Sequence, residues 1–126
     1  MSKFALERFI SGKLSIDKLI VDGVCEFDDF MEMLSNNKRD AKKAASILAI
    51  MHDYAENLSL GSGKFNTLTT NKSERVKEYE FKKSDVRIYA IKKDNGAIVI
   101  MGGFKNRQTK DIRRFRSIKA RYLESL

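Results

Sequence analysis

The sequence predicts an α+β fold in which an antiparallel, meander-type sheet carries a helical hairpin and ends in a basic helix. Between residues 26 and 58, apolar side chains recur with the 3.6-residue period of amphipathic helices. Between residues 76 and 104, three short runs rich in β-branched and aromatic residues follow one another closely. A length of 126 residues suits one core, so residues 1–126 are predicted to form a single domain.

The N-terminal segment is predicted to be a short helix over residues 2–11. Its apolar residues fall roughly on one helical face, and Ser2 can act as the N-cap. We therefore expect residues 1–13 to be a helical extension of a main domain at 14–126. That domain opens with closely spaced aliphatic residues that stop at the turn-like pair Asp22-Gly23, which predicts a strand.

Two further helices are predicted, one from Glu26 and one over residues 39–58. Acidic residues crowd the first turn of the former, where they interact favourably with the helix dipole. An alanine-rich face on the latter allows a neighbour to approach closely, so we expect an antiparallel hairpin. Residues 59–74, rich in glycine, serine, threonine and asparagine, are predicted to be a loop.

The rest of the chain predicts three strands, at 76–83, 86–93 and 97–104, followed by a basic helix at 110–123. Asp94-Asn95-Gly96 favours a tight hairpin turn, because asparagine and glycine tolerate the positive φ angles that such a turn requires. We expect these strands to pair antiparallel and the helices to pack mainly on one face of the sheet.

Charge is strongly segregated along the chain. Residues 1–63 contain 8 Lys and Arg against 10 Asp and Glu, whereas residues 64–126 contain 17 against 7. The two halves therefore carry formal charges of −2 and +10. Such a distribution favours a polyanionic partner for the C-terminal half, although excess lysine can also serve solubility alone.

The composition argues against several classes of site. One His and one Cys cannot supply a zinc site, and Cys25 has no second cysteine with which to form an internal disulfide. We expect no metal and no small-molecule cofactor. The sequence shows no apolar stretch long enough for a membrane span and no secretory signal, so we expect a cytoplasmic protein without membrane contact.

The strand ends of the basic half suggest a binding surface. Period-two alternation places Arg87, Tyr89 and Lys93 on the same face of one strand. If the three strands are neighbours, cations at their ends converge, and glycines there allow a ligand to approach the backbone. These cations are Lys82, Lys83, Arg87, Lys105 and Arg107. Scattered lysines that discourage edge pairing are the alternative interpretation.

Residues 77–115, KEYEFKKSDVRIYAIKKDNGAIVIMGGFKNRQTKDIRRF, resemble the RelE/HigB group of bacterial toxins from type II toxin–antitoxin pairs. The resemblance begins near Asp17 and covers roughly 110 residues, in which a strand, a helical hairpin and a three-strand meander end in a basic helix. The matching segments, in order, are Val86-Arg87-Ile88-Tyr89, Asp94-Asn95-Gly96, Ile98-Val99-Ile100-Met101, Gly103-Phe104-Lys105 and Gln108. Gly102 stands where many HigB-like members have histidine.

The resemblance implies a RelE/ParE-like fold and a ribosome-dependent, metal-independent mRNA endoribonuclease held inactive by a cognate antitoxin. In such toxins the ribose 2′-hydroxyl attacks the adjacent phosphate. This reaction requires proton transfer and cations that stabilise the negative charge of the phosphorane. The resemblance implies that Arg87 stabilises the negative charge of the transition state. It implies that Lys82 or Lys83 acts as a base or phosphate anchor, and that Tyr89 donates a proton or stacks on a base. Lys105 and Arg107 would be further phosphate ligands. The other RNA-binding candidates are Lys93, Lys110, Arg113 and Arg114.

Other functions remain open at this point. The missing histidine at Gly102 favours a toxin-fold module that binds RNA or protein without catalysis. A ParE-like inhibitor of gyrase has the same fold, and fold alone does not decide the reaction. A basic α+β domain whose charge serves only solubility is the least specific alternative.

Overall fold

The structure is a computed structural model that describes residues 2–68 and 75–126, which form a six-stranded sheet and three helices. The α+β class is thus confirmed. The elements in chain order are β1 (Phe4–Ser11), β2 (Ser15–Val21), α1 (Glu26–Ser35), α2 (Lys38–Ala55), β3 (Phe65–Thr67), β4 (Glu78–Lys83), β5 (Val86–Lys93), β6 (Gly96–Phe104) and α3 (Gln108–Glu124), with a 3₁₀ turn at Lys105–Arg107 before α3.

The sheet is mixed, with strand order β1-β2-β6-β5-β4-β3. The expected wholly antiparallel sheet is wrong at one pair, since β2 runs parallel to β6 from Ser15 opposite Gly96 to Lys18 opposite Val99. All the other neighbours are antiparallel. Parallel neighbours require a long crossover connection. The chain between β2 and β6, which includes the helical hairpin and strands β3 to β5, provides that connection.

The predicted N-terminal helix is wrong, because residues 4–11 form strand β1. This segment turns through Gly12 and pairs antiparallel with β2. A β-bulge between Arg8 and Ile10 interrupts the alternation, so that the consecutive residues Phe9 and Ile10 both pack on the same core. Two adjacent buried residues look helical in a sequence, whereas here a bulge accounts for them.

Helices cover both faces of the sheet, which corrects the expectation of mainly one face. The residues of α1 and α2 form one core with the sheet, through side chains such as Phe27, Leu34 and Ile47. On the opposite face, α3 packs Phe115, Ile118 and Tyr122 against the sheet. The central strand β5 is buried on both faces as a result, and only the alternation of its side chains assigns each one to a core.

The remaining elements lie close to their predicted bounds. The turn before β6 is present, with Asn95 at φ +62°. The predicted loop at 59–74 contains the short strand β3, and residues 69–74 of that loop lie outside the described residues. No helix in the described part of the chain is both long and apolar enough to cross a membrane.

Candidate nucleic-acid interface

Three adjacent strands bring cationic side chains to one end of the sheet, which we call the basic edge. It consists of Lys82, Lys83, Arg87, Lys105, Arg107 and Lys110. Strand register aligns Lys82 with Arg87 across β4 and β5, and Arg87 with Gly103 across β5 and β6. Lys83 is exposed where β4 ends. The predicted adjacency of the three meander strands is confirmed, so that their strand-end residues lie at the same end of the sheet.

The chain leaving β6 completes the basic edge. The backbone N–H of Lys105 donates to the carbonyl of Asp85 at 2.7 Å, which ties the 3₁₀ turn to the turn between β4 and β5. Lys105, Arg107 and Lys110 are exposed and form no ion pair with any residue in 2–68 or 75–126. A surface depression of about 530 Å³ is lined by residues 105–110. Cations beside a helix N-terminus suit a phosphate group.

Arg87 is a buried cation at the inner side of this edge. Only 7% of the surface of Arg87 is exposed. Its Nη1 donates hydrogen bonds to the carbonyls of Ser84 and Val86, at 2.9 Å each. Within the described residues, its Nε has no hydrogen-bond partner. A buried charge with an unsatisfied donor costs free energy. The fold therefore retains at the basic edge a charge that is unfavourable for packing alone.

Tyr89 is buried, whereas the roles expected from the sequence, proton donation or base stacking, require an accessible side chain. The residue is fully buried, and its ring stacks on Phe115 with 5.6 Å between centroids. Its hydroxyl has no hydrogen-bond partner among the described side chains and backbone. Burial, with the carboxylates of Asp111 and Glu80 nearby, raises the pKa of that hydroxyl above its ordinary value. In this arrangement Tyr89 supports α3 and does not reach the surface.

Two carboxylates within the basic edge were not identified from the sequence. Glu80 is buried and accepts a hydrogen bond from Gln108 Nε2 at 3.0 Å, with Lys82 Nζ at 3.9 Å. Asp111 projects from the first turn of α3 onto the backbone of Gly103, where a Cβ atom would clash with its carboxylate. The available signal for Asp111 was its isolation as the only acid among the cations of residues 105–121.

The environment of Asp111 raises the pKa of its carboxyl above the ordinary value. Burial raises the pKa of this carboxyl and Glu26 raises it further, whereas Arg107 and Arg114 lower it. The net direction is upward. Such a carboxyl exchanges a proton closer to neutral pH than an exposed aspartate does. Asp111 is therefore a candidate acid or base within the basic edge.

Gly102, which the resemblance to HigB-like toxins aligns with a frequent histidine, faces the opposite side of the sheet from Arg87. A Cβ atom there would clash with the ring of Phe30 from α1 and lie 2.8 Å from Cδ1 of Ile88. The space that a larger side chain needs is occupied by core residues. This chain consequently has neither a histidine at that position nor room for one.

The remaining predicted RNA-binding residues are dispersed. Lys93 lies at the other end of β5, about 20 Å from Arg87 at the usual strand rise, and its Nζ pairs with Asp17 at 2.5 Å. Arg114 forms a two-pronged contact with Glu26, at 3.1 Å and 2.6 Å. Arg113 is exposed on α3. Of these three residues, Arg113 is the one that offers its charge directly to a ligand.

The N-terminus of α2 extends the positive surface around the end of the sheet. Lys43 Nζ contacts the Asp85 carboxylate at 2.8 Å, which places the start of α2 beside the turn between β4 and β5. Hydrogen bonds to Asp85 and then Asp40 raise the pKa of Lys43. Lys38, Arg39 and Lys42 are exposed nearby on the same helix. Cations from the acidic half of the sequence thus join those of the basic half.

Metal ligands do not cluster in the part of the chain that the structure describes: no three His, Cys, Asp or Glu side chains lie close enough there to hold a metal ion. Comparisons with protein-family models, curated protein sequences and solved structures found no match to this chain.

Proposed function

We propose that this chain is a RelE/HigB-like toxin of a type II toxin–antitoxin pair, acting in the cytoplasm as a ribosome-dependent, metal-independent mRNA endoribonuclease. The observation that carries the proposal is the row of Lys82, Arg87 and Gly103 beside the exposed cations of residues 105–110. The order of strand, helical hairpin, meander and basic helix over residues 15–124 also supports it.

The proposed reaction is an intramolecular transesterification. The ribose 2′-oxygen attacks the adjacent phosphorus, the bond to the 5′-oxygen breaks, and the products are a 2′,3′-cyclic phosphate and a free 5′-hydroxyl. Lys83, Lys105 and Arg107 hold phosphate groups along the basic edge, and Arg87 provides positive charge beneath the phosphorane. A proton must leave the 2′-hydroxyl and another must reach the 5′-oxygen.

Asp111 is the proposed proton-transfer group. It lies on Gly103, directly beside the row that contains Arg87, and its surroundings raise the pKa of its carboxyl. Tyr89 does not take this role in the proposal, because its hydroxyl is enclosed beneath α3. A cognate antitoxin would neutralise the same surface with an acidic segment.

The experiment that tests this proposal is primer-extension mapping of a defined mRNA, with and without translating ribosomes. Cuts that require ribosomes, and that disappear for a folded Arg87→Ala variant, are expected. Circular dichroism establishes that the variant is folded. Intact mRNA in the presence of folded wild-type protein and active ribosomes would overturn the endoribonuclease.

A non-catalytic binding module is the second candidate, and Gly102 is the observation that favours it. With Phe30 against this glycine, the histidine of many related toxins is absent and cannot be added without repacking. This module would bind ribosomes or RNA through the basic edge and leave mRNA uncut. Cosedimentation with ribosomes, combined with the mapping above, separates the two functions.

A further inference from the structure

The outer edge of β1 is open to another strand. Four consecutive residues of β1, from Ala5 to Arg8, are exposed, and Leu6 retains 43% of its surface. At the opposite edge of the sheet, β3 has only three residues. A long uncovered edge strand with an exposed apolar side chain is a template for pairing. The regular part of β1, before its bulge, is therefore a candidate for pairing with a further strand.

The backbone hydrogen bonds determine which groups of β1 face outward. The N–H of Asp22 donates to the carbonyl of Lys3 at 2.8 Å, and the same register pairs Phe4 with Val21 through Arg8 with Asp17. Along an antiparallel ladder, hydrogen-bonded and non-hydrogen-bonded pairs alternate. Ala5 and Glu7 therefore bond to β2, whereas Phe4, Leu6 and Arg8 direct both backbone groups away from the sheet.

We propose that β1 pairs antiparallel with β1 of a second copy of this chain, with Leu6 opposite Leu6 of the partner subunit. In a two-fold arrangement, outward-facing residues must meet outward-facing residues. When the two-fold axis passes through the Leu6 pair, all three outward-facing residues meet outward-facing residues, because Phe4 then lies opposite the partner's Arg8 and Arg8 lies opposite the partner's Phe4. Each of these three pairs exchanges two backbone hydrogen bonds, for six in all.

Side-chain chemistry supports the same register. Phe4 contacts Tyr122 of α3, so Leu6 and Arg8 share the α3 face of the strand by alternation. The exposed Leu6 side chains of two copies would bury each other. The Nε of Arg8 donates to Asp17 at 2.6 Å within its own chain, and the aliphatic part of Arg8 would lie beside the partner's Phe4 ring. On the other face Glu7 meets the partner's Ala5. Moving the two-fold axis by one residue, from Leu6 to Glu7, shifts the pairing by two residues and places Glu7 opposite the partner's Glu7, which is unfavourable.

The proposal does not depend on the RNA function, because the basic edge lies at the ends of β4, β5 and β6, and β2 separates β1 from β6. Sedimentation equilibrium of the full chain over a concentration series tests it directly. We expect a species of twice the 14.5 kDa chain mass. Leu6→Lys should raise the dimer dissociation constant by about tenfold or more. Leu58→Lys, at another exposed leucine, is the matched control and should leave it unchanged.

Cross-linking tests the register. In a Cys25→Ser background, Leu6→Cys places two cysteines directly opposite each other, at a Cα separation of about 5.5 Å that permits a disulfide. Ala5→Cys places them out of register, so oxidation should yield covalent dimer for the former alone. A wild-type chain that stays monomeric at every concentration, or binds only a different protein, would overturn the proposal. Equal effects at Leu6 and Leu58, or preferential cross-linking at Ala5, would also overturn it.

Discussion

Arg87 combines burial with an incompletely satisfied charge, a combination that packing alone does not favour. Its guanidinium is held by two carbonyls of its own turn, and its Nε has no partner among the described residues. Removing a buried polar group together with its desolvation cost is often neutral or stabilising. The free energy of unfolding and the cleavage activity should therefore respond differently to loss of this side chain.

We predict that Arg87→Met leaves the free energy of unfolding within about 1 kcal/mol of the wild-type value, while cleavage falls about 100-fold because one preorganised charge is lost. Urea unfolding and primer extension measure the two effects. A destabilisation of several kcal/mol with retained cleavage by the folded fraction would assign Arg87 to stability instead.

Asp111 gives the second prediction at this scale. Asp111→Asn removes the proposed proton-transfer group but keeps the side-chain volume, so cleavage should fall about 100-fold, while cosedimentation with ribosomes is retained. The raised pKa of Asp111 means that the folded state holds the proton more tightly than the unfolded state does. Ionisation above that pKa disfavours folding, so the Asn variant should be no less stable at neutral pH. Unchanged cleavage would exclude Asp111 from proton transfer.

Among the elements, α3 depends on a buried ionic contact with β4. Arg116 Nη2 and Lys119 Nζ contact the Glu78 carboxylate at 2.9 Å and 3.0 Å, and Glu78 itself is buried. This contact fixes the helix whose first turns carry Lys110 and Asp111. The positions of Lys110 and Asp111 thus depend on an ionic contact at the far end of β4.

We predict that Glu78→Gln lowers the free energy of unfolding at pH 7 by about 2 kcal/mol, because a buried carboxylate shared by two cations is lost. Burial opposes the ionisation of Glu78, but Arg116 and Lys119 outweigh it and hold the pKa below the ordinary 4.5. The stabilisation is therefore present above pH 4.5 and disappears as the pH falls through the folded-state pKa. The difference between wild type and variant should shrink in acid, and a difference independent of pH would contradict this account.

Local patterns predicted most elements but not the partners of every element. Both helices of the hairpin, the three meander strands and α3 could be identified from their apolar periodicity. The segment 4–11 could not, because its bulge makes Phe9 and Ile10 both face one core. Period-two alternation also placed Arg87 and Tyr89 on one face, whereas the burial of Tyr89 depends on α3, a contact distant in sequence.

In the whole molecule, the tertiary structure brings together charged residues that are far apart in the sequence. The parallel pairing of β2 with β6 and the placement of α3 on the second face were not predictable from local pattern, since both depend on long-range packing. The same packing brings Asp111 onto Gly103 and Lys43 beside Asp85. The candidate site therefore contains two groups of residues, strand-end cations that were predictable and carboxylates that the tertiary structure adds.

We propose that the basic edge, and not net charge, carries the cleavage activity. The most direct measurement compares ribosome-dependent cleavage rates of Lys105→Gln and Lys13→Gln, two exposed lysines at opposite ends of the sheet. Both variants lose one charge. We predict that Lys105→Gln slows cleavage about tenfold, as expected for loss of one charge-assisted phosphate contact, and that Lys13→Gln matches wild type. Equal rates for the two variants would contradict the claim.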